Sequence, residues 1–512
     1  MDAHAIAIAP TSDDATAVAP EAVIYDVLIA GGGTAGVLTA ARLAAAHPGL
    51  RIALLDQGRT LGGRMRSSSP EDQVHGYGLS AGSDDLFGVW QQALRELGAS
   101  AEDLTALPIQ RQQHLGVLAS GRIVQQEIQE WFTPKGARLL GGLTASRQWG
   151  EVEDILRQGA SAAGLAKPVS ETSARSGAVK GSAPEGNANT DDDQDDDPEE
   201  VAAARSHAFS HYWKQPRKAP AAIVLEHFAS AVGIPDVWGA ATAALADRAA
   251  FHGSRLHSGS WAEMMAILVA QPAFAEAVHI EMSNRLLHAD FEGGLWTIAA
   301  EKGAYRARSL VVAQSPWQAA QWLKRSLWPT QLLQLASKTK PVSMVVLTER
   351  LLFAEDVAHD LPDVTIVPAE RVQIIRSGER ELCFQATIDY ELSLQAPAVI
   401  KAVKALKRAR KKLQQIYPET VSESGHVALL PVAWAQSPVH SDRRYLERLD
   451  KKSYQTPTLA FCGDAYGARY DGDANLIQSV FLASAAIGSS IESVARPESR
   501  SSSVDAAPDV AP

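Results

Sequence analysis

The chain has 512 residues, 46% hydrophobic and 21% charged, which is enough apolar content for a large core and excludes a wholly disordered polypeptide. Its net charge is −11, but the eight acids between Asp191 and Glu200 carry −8 of that and leave −3 for everything else, a near-neutral balance that speaks against a general nucleic-acid binder. The two cysteines, Cys383 and Cys462, build neither a disulfide framework nor a zinc-spaced cluster.

In chain order, residues 1–21 are rich in Ala, Pro and Asp and read as a disordered tail. They contain no Lys or Arg, which secretory and transit signals require. Tyr25–Ala30 is a short apolar run and reads as a buried strand. Gly36–Ala46 reads as a helix stopped by Pro48-Gly49, and Arg51–Asp56 as a second strand, which makes one β-α-β unit. Asp84–Leu97 reads as a helix with Leu86, Val89, Trp90, Leu94 and Leu97 on one face. Residues 165–205, rich in Ser, Gly, Ala and Asn and ending in the acidic run, read as a disordered surface insertion.

The stretch 220–275 reads as mostly helical, and 278–313 as a β-meander. Pro341–Thr348 and Glu381–Thr387 read as strands. Pro397–Ile416 reads as a helix with its proline in the first turn, where a missing N–H costs nothing. Its packing stripe is Val399, Val403, Leu406 and Leu413, and its basic face runs from Lys401 to Lys412. Val427–Leu430 and Thr458–Cys462 read as strands, Ala474–Val494 as a closing helix, and 496–512 as a second tail. No apolar stretch reaches the ~18 residues of a membrane span. With two reduced thiols, the expectation is a cytoplasmic protein without a transmembrane segment.

The strongest chemical signal is Gly31-Gly32-Gly33-Thr34-Ala35-Gly36, which has G-x-G-x-x-G spacing between a strand and a helix. The first glycine makes a tight turn, the second admits a pyrophosphate to the backbone, and the third lets helix and sheet lie close. Free N–H groups at the helix start then face the phosphates. Asp56, at the end of the second strand, is placed to accept ribose hydroxyls and disfavours a 2′-phosphate. Gly62-Gly63-Arg64 follows shortly, and far downstream a strand ends in Gly463-Asp464.

These pieces resemble the superfamily of FAD-dependent amine oxidases, protoporphyrinogen oxidases and phytoene desaturases. The resemblance implies an α/β fold: a Rossmann-like FAD-binding domain built from discontinuous segments, with an inserted α+β substrate domain. It divides the chain into FAD-binding segments 22–80, 276–320 and 456–495, and substrate-domain parts 81–275 and 321–455. It implies that Gly31, Gly33, Thr34, Ala35 and Gly36 hold the FAD pyrophosphate, with Gly63 and Arg64 nearby. Asp56 would take the adenosine ribose with Gln57 beside it, and Leu286 the adenine through its backbone. Gly463 and Asp464 would meet the ribityl and phosphate region. The helix starting near Asn475, Leu476 and Ile477 would aim its N-terminus at the flavin. The run His75–Ser80, Gly78 included, would pass close to the isoalloxazine.

Three departures separate the chain from classical amine oxidases, one being Gly58 in place of the first arginine after the acid, with Arg59 one position later. Ser343 stands where they often carry a lysine, and Leu476 replaces one member of their aromatic pair. Arg469, Tyr470 and Asp471, in the loop before the closing helix, are candidates to line a substrate site, as are Trp434 and His440. His252, His257 and Trp261 read as structural, and no catalytic residue or metal ligand is assigned. The basic helix reads as a solvated face, with an acidic or membrane-surface partner as the other reading. The expected activity is hydride transfer from a small organic substrate, an amine or a C–C bond being desaturated, to FAD. The alternatives are a catalytically lapsed scaffold of the same fold and an NAD-dependent dehydrogenase.

Overall fold

The computed structural model describes residues 23–63, 81–112, 114–162, 209–231, 237–238, 242, 245–246, 256–259, 261–333, 340–353, 361–378, 380–389, 394–418, 422–436, 454–466 and 472–495. Both tails and the acidic insertion lie outside them.

Early strands are β1 (Ile24–Ala30), β2 (Ile52–Leu55), β3 (Ala81–Ser83), β4 (Ile109–Gln112), β5 (His114–Ala119) and β6 (Arg122–Glu127). In mid-chain come β7 (Leu256–Gly259), β8 (Val278–Glu281), β9 (Leu286–Glu292), β10 (Leu295–Ala300) and β11 (Gly303–Val312). The remainder are β12 (Lys340–Phe353), β13 (Val364–Val367), β14 (Val372–Gly378), β15 (Glu381–Asp389), β16 (Ser422–Gln436) and β17 (Leu459–Phe461).

The first sheet runs β8-β2-β1-β11-β10-β9, with β17 added beside the second half of β11. Strands β8, β2, β1, β11 and β17 are all parallel. Strands buried on both faces need side chains that are apolar on both, and β1 supplies them. Val27 and Ile29 face the helix α1 (Thr34–Ala46), the helix α2 (Asp84–Glu96) and the closing helix Gly472–Ala495, while Leu28 and Ala30 face a second core around Trp296, Trp322 and Trp328. The β1-α1-β2 unit, the stripe of α2 and the closing helix all fall where the sequence predicts them.

The stretch 278–313 differs from the expected meander. Strands β9, β10 and β11 are antiparallel neighbours, but β8 leaves them and pairs in parallel with β2 at the far edge. Four alternating residues specify a half-buried strand and not its partner. The mostly helical reading of 220–275 holds among the described residues, with one exception. Helices form over Pro220–Ala231, Trp261–Val269 and Pro272–Ala277, but Leu256–Gly259 is a strand. It is the centre of a small sheet, β3-β7-β4.

The second large sheet runs β16-β12-β15-β14-β13-β5-β6 and is antiparallel except at β13–β5. One face packs Leu115, Val117, Val364, Ile366 and Ile375 against helices from 128–229. The other packs Leu347, Leu351, Ile374 and Phe384 against the helix Ala396–Ile416. The buried stripe of that helix is Ala402, Ala405, Leu406, Ala409 and Leu413, with Val399 and Val403 only half-buried. Alanines carry little bulk, so the helix lies close to the sheet and valines at the margin stay partly wet. No described helix is long and apolar enough to cross a membrane.

Candidate functional site

The five parallel strands end in one row. Ala30 is in register with Leu55 and Val312, Leu55 with Glu281, and Val312 with Phe461. Neighbouring strands lie about 4.8 Å apart, so the exits of β1 and β17, on either side of β11, are about 10 Å apart. Segments from the start, middle and end of the chain therefore meet along one edge, at Gly31, Asp56, Ala313, Ser283 and Gly463.

The glycine turn follows β1. Gly31 has φ +120°, a conformation that a side chain would strain. A Cβ on Gly36 would lie 1.9 Å from the Gly31 carbonyl oxygen, so α1 approaches β1 only because that position is bare. Gly33 differs. Its φ is −75°, and the nearest atom to a Cβ there is the Gly63 Cα, 3.9 Å away. The protein itself would tolerate a small side chain at Gly33, whereas the space beside it is a cradle that a Cβ would fill. Gly33 caps α1 without a side-chain bond, and the first bond of the helical ladder runs from Val37 N–H to the Gly33 carbonyl at 3.0 Å. The amides before Val37 lie outside that ladder, an arrangement suited to anions.

Asp56 braces this turn. Its carboxylate accepts the Gly32 N–H at 2.6 Å and the Gly58 N–H at 2.5 Å. A carboxylate has about four acceptor sites, so roughly two remain for ribose hydroxyls. Gly62 N–H donates to the Gly32 carbonyl at 2.8 Å, which folds the 58–63 segment back over the glycines. Gln57 is exposed beside it.

The turn between β8 and β9 clasps the same place. Asp56 N–H donates to Glu281, while Asn284 N–H donates to the Asp56 carbonyl (2.8 Å) and Ser283 N–H to the Gly58 carbonyl (2.7 Å). Asn284 is fully buried, donating to the Tyr305 hydroxyl (2.9 Å) and accepting from Lys302 N–H (3.0 Å). Leu286, also buried, lies two residues on. Sequence reading missed Ser283 and Asn284. Their one signal was a Ser-Asn pair between two strands, a turn composition with no chemistry of its own.

At the other end of the row, Gln455 clamps Phe461 through two 2.7 Å bonds. Tyr454 donates to the Tyr466 carbonyl, and burial pushes its phenol up. Gly463, at φ +143°, donates its N–H to the Ser479 hydroxyl at 2.9 Å. That hydroxyl also lies within donating range of the Gly463 and Leu476 carbonyls, at 3.1 and 3.0 Å. The Asn475 amide donates to the Asp464 carbonyl at 3.1 Å. The start of the closing helix is thus fastened to the Gly463-Asp464 turn. The Leu476 side chain is buried in the core with α1, and Ile477 packs against that core. Thr39 on α1 donates to the Cys462 thiol at 3.4 Å, and burial pushes that thiol up to about 12.

Arg64, Gly78, Arg469, Tyr470 and Asp471 lie outside the described residues, as do His252 and His440. Trp434 lies on β16, the edge strand of the second sheet, opposite Val342, and Ser343 lies opposite Ala433. His257 is on β7, in register with Gly82 and Arg111. Among the described residues no cluster of His, Cys, Asp or Glu could hold a metal ion.

A parallel sheet with a glycine turn and an acid at its carboxyl edge is a Rossmann-like architecture. Residues 29–97 match the model of the NAD(P)-binding Rossmann-like domain family. The chain matches no curated protein by sequence. Among solved structures, it is similar to cyclohexylamine oxidase from Brevibacterium oxydans IH-35A (TM-score 0.54, 12% identity, 93% of this chain and 100% of that one). Putrescine oxidase bound to putrescine gives a TM-score of 0.55 at 13% identity, covering 93% and 100%. A protein assigned as a protoporphyrinogen oxidase from Exiguobacterium sp. 255-15 gives 0.54 at 16% identity, covering 91% and 99%. The chain shares the fold of these three solved structures, the fold its motifs implied.

Proposed function

We propose that this protein is an FAD-dependent oxidoreductase acting on a small organic substrate, an amine or a C–C bond being desaturated. The observation that carries the reading is the single row of strand exits, with a glycine turn at its middle strand and a fastened Gly-Asp turn at one end. A nicotinamide domain usually completes its parallel sheet within one continuous stretch. Here the parallel strands come from the start, middle and end of the chain, as the flavin reading expects. The open cradle at Gly33 fits its pyrophosphate.

Bound FAD would supply a hydride acceptor. The protein's part is to hold and orient. The glycine turn and the first turn of α1, at Gly33, Thr34, Ala35 and Gly36, would receive the pyrophosphate, with Gly63 and Arg64 alongside. Asp56 would take the adenosine ribose with its remaining acceptor sites, Gln57 lying next to it and Leu286 against the adenine. Gly463 and Asp464 would hold the ribityl side. The closing helix, entering at Asn475, Leu476 and Ile477, would set the positive end of its dipole against charge on the reduced flavin. Gly78, Trp434, Arg469, Tyr470 and Asp471 would line the substrate side. Ser343, in place of lysine, weighs against simple amine oxidation.

Purified protein should be yellow and should bleach when its donor is added without oxygen. Gly33→Ala should keep its fold, because no protein atom lies closer than 3.9 Å to the new Cβ. It should lose flavin affinity by about a hundredfold, or about 2.8 kcal/mol. A Gly33→Ala protein that retains stoichiometric flavin would sink the reading. Colourless protein that binds nicotinamide dinucleotide would favour the dehydrogenase reading that the family model's name suggests.

A further inference from the structure

We propose that the outward face of the helix Ala396–Ile416 is a docking surface for an anionic lipid membrane. The helix carries seven Lys and Arg and no Asp or Glu, in a chain whose net charge is −11. Those seven cations divide into two sets. Three of them pin the helix to what lies beneath it: Arg410 to Glu349 on β12 at 2.8 Å, and Arg408 at 2.6 Å and Lys412 at 2.8 Å to Glu370 in the turn between β13 and β14. The other four, Lys401, Lys404, Lys407 and Lys411, are exposed and form no ion pair among the described residues.

At about 100° per residue, Lys404, Lys407 and Lys411 fall within about 60° of one another, directly opposite the buried stripe centred on Ala402, Ala409 and Leu413. Ile400 sits in the middle of this line, 52% exposed, and Leu394, 71% exposed, precedes the helix. A line of lysines around exposed aliphatic residues is the pattern of an interfacial helix. The ammonium groups meet acidic headgroups, the stems cover apolar surface, and the aliphatic side chain enters the acyl boundary. The chain's own acidic run fits less well, since residues 191–200 are Asp, Glu, Gln and Pro and offer Ile400 no aliphatic counterpart. The helix is also an outer layer, because the opposite face of its sheet is covered by the helices of 128–229.

The test is co-sedimentation of the full-length protein with phosphatidylcholine vesicles containing about one-third phosphatidylserine. Wild-type protein should pellet with them at low salt, stay in solution with pure phosphatidylcholine vesicles, and be released at about 0.5 M salt. The triple variant Lys404→Glu, Lys407→Glu, Lys411→Glu should bind about a hundredfold more weakly, with an unchanged melting curve and unchanged flavin content. Ile400→Ser should weaken binding severalfold without altering its salt dependence. Failure of the wild type to pellet would overturn the proposal, and so would equal pelleting with neutral vesicles or by the triple variant. Two results would reassign the face and also overturn it. One is salt-sensitive self-association abolished by the triple variant, which would mean a second copy. The other is vesicle binding that appears only after residues 191–200 are deleted, which would mean the acidic run.

Discussion

The two large sheets handle their outer surfaces in opposite ways. The first sheet presents backbone at its working edge: glycine turns, strand-end carbonyls and the amides that open α1. Its side chains there, Asp56, Asn284 and Ser479, mostly hold the chain to itself. The second sheet presents packed side chains on both faces and is antiparallel except at β13–β5. A surface made of backbone is written in the positions where side chains are missing. A surface made of side chains depends on which strand faces which helix.

Substitutions can break this comparison, beginning with the largest effect. Gly36→Ala places a Cβ 1.9 Å from the Gly31 oxygen. The start of α1 must move off the sheet, at a cost of about 3 kcal/mol or more. Chemical denaturation should show that loss, and a change below about 1 kcal/mol would contradict the assigned close approach.

The second sheet's side predicts a pH effect of similar size. His227, on the helix Pro220–Ala231, is held down to about 4 from 6.5, first by burial and then by the charge of Arg371. The folded state therefore resists a proton that the unfolded chain accepts. Stability should be constant above pH 6.5, fall as the pH drops toward 4, and level off below it. At about 1.4 kcal/mol per pKa unit, His227 contributes a loss of about 3 kcal/mol. Melting curves of His227→Gln should lack this component, and identical slopes in both proteins would rule it out.

Back at the first sheet, Ser479→Ala removes the hydroxyl that bridges Gly463 to the closing helix. Stability should fall by about 1–3 kcal/mol, the cost of leaving a buried N–H without its acceptor. Flavin retention should fall with it if the Gly463 turn is part of the cradle. The smallest effect concerns the thiols. Cys383 and Cys462 are both buried, and Cys462 is held protonated. A thiol reagent at pH 8 should label neither in the native protein and both after denaturation, and fast native labelling would show that the β17 core opens.

Much of the first sheet is legible in the residues alone. The run of β1, the six-residue glycine motif and Asp56 keep a fixed spacing, because turn, helix start and second strand are local and each constrains the next. The strand that ends at Gly463 is legible for the same reason. The partner of β8 is not, since a four-residue strand carries no mark of the edge it joins. Nor is the role of Asn284, whose partners are Asp56 from one distant stretch of chain and Lys302 and Tyr305 from another.

From its residues, this chain determined which segments turn, which coil and which stretch, because those choices rest on backbone freedom and periodicity within a few positions. Folding in three dimensions decided the rest. It aligned five strand ends in one row, brought Thr39 against Cys462, and sorted seven like charges on one helix into three that fasten and four that face outward. Contacts between residues hundreds of positions apart depend on packing and charge across space, and no local pattern records them.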